Sequence, residues 1–387
     1  MGAGSNSRAI KKNMLTAPNI IYLTNIYFGP GALKALPDVL NKHKILHPLV
    51  ITDSGLVKLG VPGRLGIKSL VVFGEVETNP TEAMALEALH IFRKSGCDGI
   101  IAAGGGSSID LAKCVRILVH HAPPLVQYSI REDGVSRITP YMPPMIAIPT
   151  TSGSGSEVGR AALLTIPGEG KMGFLSNHLL PSAAICDPEL TMELPSVLTA
   201  ATGMDALSHC IETFCSPRYN PVADAIALDG LERGFHNILK ATRYGHDNHA
   251  RTEMMMCSLQ GGLTFQKGLG AVHSLSHPLG GLTTIRLHHG TLNAIFLPVV
   301  LRYNFDYCKD KMQTIARRLG ITDASALPER FEKLNRELGL PARLGDLGVK
   351  EEDLEHLAEQ AKDDHCTSTN PRTIEVEDFR RLYLKVL

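Results

Sequence analysis

The chain has 387 residues, 44% hydrophobic and 20% charged, the proportions of a folded globular protein long enough for two domains. Its 39 basic and 39 acidic residues cancel to a formal net charge of zero, which argues against a nucleic-acid footprint or a polybasic membrane face. No apolar run reaches the roughly 18–20 residues of a membrane span, and no signal-peptide pattern opens the chain. The opening MGAGSNSR reads as a flexible leader. Its Met1-Gly2 start has Asn6 where a myristoylation motif wants Ser or Thr. The eight cysteines are scattered without a CxxC pair and read as reduced thiols of a cytoplasmic protein.

From Asn19 to about Pro188, short β-branched runs alternate with helical patterns, which predicts a parallel, doubly wound sheet. Predicted strands are LVIT (49–52), SLVVFG (69–74), DGIIAA (98–103) and PMIAIPT (144–150). TEAMALEALHIFRKSG (81–96) is an amphipathic helix with acids near its start and bases near its end. After the third strand comes Gly104-Gly105-Gly106-Ser107-Ser108-Ile109-Asp110, then the helical LAKCVRIL. Glycines between a strand and a helix start allow close backbone approach, and the helix end offers unpaired N–H groups to a phosphate. The GxGxxG fingerprint is absent, and a purely structural tight turn is the alternative. Asp110 suits orienting that loop or capping the helix.

Asp53 ends the first of these strands, where a carboxylate either accepts from ribose hydroxyls or caps a turn. The hydroxyl-rich IPTTSGSGSEVG (148–159) suits a second anion or ribose contact or a plain flexible loop, and a hairpin is predicted around Pro167-Gly168-Glu169-Gly170 with Lys171 just beyond. Past Asp187-Pro188 the periodicity becomes helical, in segments 195–214, 220–243 and 249–265. The expected division is an α/β dinucleotide-binding domain over 1–190 and an α-helical metal-binding domain over 191–387. Asp205 and His209 are four residues apart on one helix face, with Glu212 nearby as a rival ligand or supporting partner. His273 and His277 repeat that spacing, and the pair His288-His289 follows. One aspartate with three histidines makes an N/O site suited to Fe(II) or Zn(II).

The motifs GGGSSIDLAK, IPTTSGSGSEV, CDPELT, TGMDALSHCIE, GLGAVHSLSHPLGG and HHGTLNAIFLPVVLRYN run in order over about residues 20–305. In this the chain resembles the iron-containing (group III) alcohol dehydrogenases. The tail, about 306–387, reads only as helical. The resemblance implies a Rossmann-like N-terminal domain joined to an all-α C-terminal domain, a dehydroquinate synthase-like fold, with metal and cofactor in the cleft between them. By position it implies Asp205, His209, His273 and His289 as metal ligands and His277 as the group that moves a proton. It implies Gly105, Gly106 and Ser107 on the pyrophosphate, Thr150, Thr151 and Ser154 on the nicotinamide side, Lys171 on a ribose, and Asp53 selecting NAD over NADP. The connection from His277 to the last ligand looks about two residues longer than is typical of the family, and a histidine pair stands where one is expected, so His288 is the alternative to His289.

The activity implied is reversible, NAD-linked oxidation of an alcohol to an aldehyde or ketone, with a small-molecule substrate and a homodimer or larger oligomer. A hydroxyacid-oxoacid transhydrogenase with bound cofactor is the rival within redox chemistry. A lyase akin to dehydroquinate synthase would need many basic side chains around a phosphorylated substrate, and the metal-bearing helices carry few. A non-catalytic metal-binding protein would have no use for the glycine turn and the metal cluster together.

Overall fold

The structure, a computed structural model, describes residues 20, 22, 24–282 and 285–387. The leader MGAGSNSR and part of the long His277–His289 connection lie outside the described residues. The N-terminal unit runs β1 (Asn25–Phe28), α1 (Leu36–Lys42), β2 (Pro48–Ile51), α2 (Ser54–Lys58), α3 (Val61–Arg64), β3 (Val71–Phe73), α4 (Glu82–Lys94), β4 (Gly99–Gly104), α5 (Gly106–His120), β5 (Met145–Pro149), the hairpin β6 (Ala161–Ile166) and β7 (Gly170–Leu175), and β8 (Ala183–Cys186). Six strands form one parallel sheet in the order β1-β8-β5-β4-β2-β3. Helices cover the sheet on both sides, which is why β2, β4, β5 and β8 are buried at every position and read as unbroken apolar runs.

Every predicted strand is present within a residue or two. β1 and β8 are additional: NIYF and AAIC are too short and unpatterned to stand out. The hairpin forms as predicted, but as a separate two-stranded antiparallel sheet packed on α5. α4 starts where Thr81 accepts from the Met84 N–H and ends on Arg93 and Lys94, the charge order its dipole favours. α5 begins already at Gly106 rather than at LAKCVRIL, so the glycine turn is its first turn. Gly104 pairs with Pro149 at the carboxyl ends of β4 and β5, so the loops leaving these strands start side by side, where open α/β sheets take ligands.

The helical unit follows: α6 (Ser196–Cys215), α7 (Pro221–Arg243), α8 (Asn248–Leu263), α9 (Ala271–Gly280), α10 (His289–Asn304), α11 (Lys309–Arg318), α12 (Leu327–Glu337), α13 (Leu354–Asp363) and α14 (Val376–Leu384). α6 is buried almost all round, at the centre of the largest hydrophobic core, against α7, α8 and α10. Placing Asp205 and His209 on that helix fixes them among packed neighbours. Among the described residues no helix is long and apolar enough to cross a membrane.

Candidate active site

At the sheet edge, β4 delivers Gly105 as the residue preceding α5 and Gly106 and Ser107 as its first turn. A Cβ on Gly106 would lie 2.8 Å from Ser154 Cβ, and one on Gly105 would lie 3.3 Å from Thr151 Oγ1. The glycine turn and the loop after β5 therefore touch, and the contact needs residues without side chains. The Thr150 N–H donates to Gly104 O at 3.1 Å. Lys113 locks the same loop: its buried ammonium reaches Ser156 O, Ser156 Oγ, Gly159 O and Ala161 O at 2.7–2.8 Å. Asp110 accepts from Ser156 Oγ at 2.6 Å and from the Leu163 N–H at 3.0 Å, bracing loop and hairpin together. Asp53 caps α2, accepting from the Leu56 N–H at 3.0 Å, at the same carboxyl edge of the sheet.

Lys171, on β7, crosses to the helical unit. Its Nζ is 3.3 Å from Asn79 Oδ1, and a Cβ on Gly280 would come within 3.2 Å of it. Burial lowers its pKa, against the pull of Asp110, Asp205 and Asp364.

Asp205 and His209 on α6 face His273 on α9 and His289 at the start of α10. From Asp205 Oδ1 the Nε2 atoms of His209, His273 and His289 lie at 3.5, 3.6 and 3.6 Å. Ligands about 2.1 Å from a tetrahedral ion stand ~3.4 Å apart, so each separation from Asp205 Oδ1 suits a shared cation. Asp205, His273 and His289 also lie within 4.8 Å of one another, a group that His209 does not join. Each ring has its other nitrogen engaged: His209 Nδ1 is 3.2 Å from Gly153 O, His273 Nδ1 is 2.5 Å from Glu212 Oε2, and His289 Nδ1 is 3.4 Å from Ser276 Oγ. These partners turn Nε2 inward and set the tautomer that offers a lone pair there. Glu212, weighed from sequence as a rival ligand, also accepts from the Val272 N–H at 2.7 Å and so serves as a brace. His288 precedes α10 with its Nδ1 unpartnered, while His289 is the member of the pair that reaches Asp205. Gly290 allows this approach, since a Cβ there would meet Ala201 O at 2.2 Å.

The donor set fits a cation on two further grounds. The buried amide of Asn293 lies 2.7 Å from Asp205 Oδ1, 3.2 Å from His273 Nε2 and 3.1 Å from His289 Nε2, so two hydrogens face three acceptors while Oδ1 of the same amide has no partner. The charges also agree. Burial lowers the His209 pKa to about 4 and that of His289 well below its usual value, leaving the neutral rings a metal needs. Burial alone would raise Asp205, but the imidazoles facing it, with His273 the one that keeps its proton, hold it far below the usual carboxylate range. Burial likewise opposes a proton on His273, yet Glu212 and Asp205 lift its pKa to about 9, so a cation held there would take the place of that proton.

His277 sits one turn after His273 on α9. Its ring stacks on His289, centroids 5.4 Å apart, and its Nδ1 is 2.8 Å from Asp364 Oδ2. Burial lowers the His277 pKa while Asp364 opposes. Asp364 follows α13, in the tail that reads only as helical from sequence, and nothing in DDHCTS marks it. Asn293 does carry a signal, being four residues after His289 on one helix face. Lys113 carries a false one, since it looks like an ordinary helix-surface lysine.

A sheet edge whose helix start can offer N–H groups to an anion, beside N/O donors that could hold a metal, suits redox chemistry between a dinucleotide and an oxygen-bearing substrate, the class of metal-dependent dehydrogenases. Residues 24–188 match the Iron-containing alcohol dehydrogenase family, and residues 199–387 match the Fe-containing alcohol dehydrogenase family, C-terminal. The 4-hydroxybutyrate dehydrogenase of Cupriavidus necator is 48% identical over 94% of this chain and 98% of its own length. Among solved structures, a 1,3-propanediol oxidoreductase is similar with a TM-score of 0.89 at 34% identity, over 96% of this chain and 100% of that one. The sulfoacetaldehyde reductase of Bifidobacterium kashiwanohense, in complex with NAD+, follows with 0.86 at 28% identity, over 95% and 98%. The chain belongs to the iron-containing alcohol dehydrogenase family. It is a metal-dependent, NAD(P)-linked alcohol dehydrogenase.

Proposed function

We propose that this enzyme reversibly oxidises the primary alcohol of a short ω-hydroxy acid to the aldehyde, with the working groups at the junction of a 1–190 and a 191–387 domain. Asp205, His209, His273 and His289 hold the divalent cation, for which their N/O donors accept Fe(II) or Zn(II), and the family supports iron. When bound, the cation supplies Lewis acidity toward the substrate oxygen, and the nicotinamide supplies the hydride acceptor. Glu212 and Gly153 O keep the lone pairs of His273 and His209 pointing inward. Gly105, Gly106 and Ser107 present helix-terminal N–H groups to the pyrophosphate. Thr150, Thr151 and Ser154 line the nicotinamide side, Lys171 contacts a ribose, and Asp53 disfavours a 2′-phosphate and so selects NAD over NADP. His277 takes the alcohol's proton at Nε2, because Asp364 holds the ring's own proton on Nδ1.

The observation that carries this reading is the 3.5–3.6 Å spacing of three imidazole nitrogens around Asp205 Oδ1. The substrate class rests on the 48%-identical 4-hydroxybutyrate dehydrogenase. Eight unpaired thiols suit a reducing cytoplasm, and assembly as a homodimer or larger is part of the same reading. The test is NADH formation by anaerobically Fe(II)-reconstituted protein with 4-hydroxybutyrate, 1,3-propanediol and ethanol, each with NAD and NADP. We expect kcat/KM for 4-hydroxybutyrate with NAD to exceed that for ethanol by at least about tenfold. Equal use of all three alcohols contradicts the substrate class, preference for NADP contradicts the role of Asp53, and turnover without added cofactor supports the transhydrogenase instead.

A further inference from the structure

His277, Asp364, His365 and Cys366 each offer one ligand atom, and the four atoms lie within 4.8 Å of one another. Of these, His277 and its partner Asp364 have roles in the reaction chemistry above, and His365 and Cys366 have none. The other three are consecutive, in the turn that follows α13. The Cys366 N–H donates back to Asp364 Oδ1 at 2.8 Å, which folds the tripeptide so that its side chains share one region. Thr367 ties this turn to α9 and α13, its Oγ1 lying 2.8 Å from Ser274 Oγ and 2.7 Å from Ala361 O.

The group is compact, but its shortest approaches use both oxygens of Asp364 and both nitrogens of His365, so an ion taking one atom from each would spread the His277–Asp364 hydrogen bond. His277 Nδ1 is 2.8 Å from Asp364 Oδ2, His365 Nδ1 is 3.7 Å from Asp364 Oδ1, and Cys366 Sγ is 3.4 Å from His365 Nε2. With bonds of about 2.0–2.3 Å, tetrahedral zinc wants such atoms ~3.3–3.7 Å apart. A sulfur in the set favours thiophilic ions, whereas the cluster at Asp205 has only nitrogen and oxygen. Access is from the His365 side, where the imidazole is 43% exposed, the Asp364 carboxyl being 13% exposed and Cys366 buried. Burial, then the carboxylates of Asp364 and Glu212, hold the Cys366 thiol protonated, so an entering ion must displace that proton.

We propose that His277, Asp364, His365 and Cys366 form a second divalent-metal site, selective for a thiophilic cation such as Zn(II), whose filling withdraws His277 from proton transfer. The ion takes the Cys366 sulfur and releases its proton to solvent. It also takes the Nδ1 lone pair of His277, so the ring's proton resides on Nε2, which then donates but does not accept. The second half of this inference rests on the proposed role of His277.

The experiment titrates Cd(II) anaerobically into Fe(II)-loaded enzyme, following thiolate-to-cadmium charge-transfer absorption, bound cadmium, retained iron and alcohol oxidation together, with iron loss marking any exchange at the Asp205 cluster. Any exchange at the Asp205 cluster is silent in this absorption because it holds no sulfur. The expected result is a band saturating at one added equivalent, with activity falling at least about tenfold in parallel. Cys366→Ser should abolish the band, and His365→Ala should require about 10–100-fold more cadmium. No band in the folded wild type, or the same band in Cys366→Ser, overturns the site. A saturated band with full activity overturns the withdrawal of His277. An enzyme inactive before titration refutes the alcohol oxidation reading alone, since the band and stoichiometry still report on the site.

Discussion

In the proposed site, the working groups on the sheet side of the junction would be backbone N–H groups at glycines, while on the helical side they would be imidazole nitrogens, each backed by a partner on the opposite ring atom. Gly105 and Gly106 act through what they lack, since Thr151 and Ser154 fill the space a side chain would take. His209, His273 and His277 act through what is added behind them: Gly153 O, Glu212 and Asp364. The first wall is therefore broken by adding atoms, and the second by exchanging one acceptor for a donor. Among the described residues a single hydrogen bond, between His209 Nδ1 and Gly153 O, joins α6 to the loop after β5.

The largest departure from this symmetry should come from Asp364→Asn. The new amide N–H faces His277 Nδ1 and favours the tautomer whose Nε2 carries the proton, so kcat should drop by about 100-fold while bound metal stays constant. Steady-state kinetics with metal analysis decides this, and an unchanged kcat places His277 outside proton transfer. On the opposite wall, Gly106→Ala puts a methyl group 2.8 Å from Ser154 Cβ. The loop must yield, and KM for the dinucleotide should rise by about tenfold with metal content intact. If instead metal is lost, the two walls are not separable in the way described.

A smaller effect separates folding from chemistry. Burial pushes the Glu157 carboxyl up to about 7, with its backbone contact and Lys113 opposing. Below its ordinary value near 4.5 it is neutral both folded and unfolded. Between there and about 7 the unfolded chain gives up the proton first, so stability falls as pH rises through that window and levels off above it. Relative to wild type, Glu157→Gln should flatten this slope by on the order of 2–3 kcal/mol across the window in thermal or denaturant melts. Parallel slopes for the two proteins would mean the carboxyl titrates as if exposed.

The sheet wall was largely legible in the sequence because its signals are local. A strand, three glycines and a helix announce a turn, and four-residue spacing puts Asp205 with His209 and His273 with His277 on single helix faces. β8 escaped because a four-residue strand buried on both faces has no alternation to detect, and β1 because an edge strand exposed or half-buried at every position shows none either. The supports behind the working groups escaped for a different reason. Asp364 meets His277 across 87 residues, only because α13 packs on α9. Lys113 sits in LAKCVRIL like a surface lysine, and its acceptors arrive from a loop 43–48 residues later. Such partners are properties of packing, which periodicity does not report.

The central claim is that one cation is held by Asp205, His209, His273 and His289. The most direct measurement is the Fe(II) content of anaerobically reconstituted wild type, His288→Ala and His289→Ala at matched fold stability. The account predicts one equivalent in the wild type and in His288→Ala, and substoichiometric iron with lost alcohol oxidation in His289→Ala. Full iron in His289→Ala together with loss in His288→Ala would contradict it.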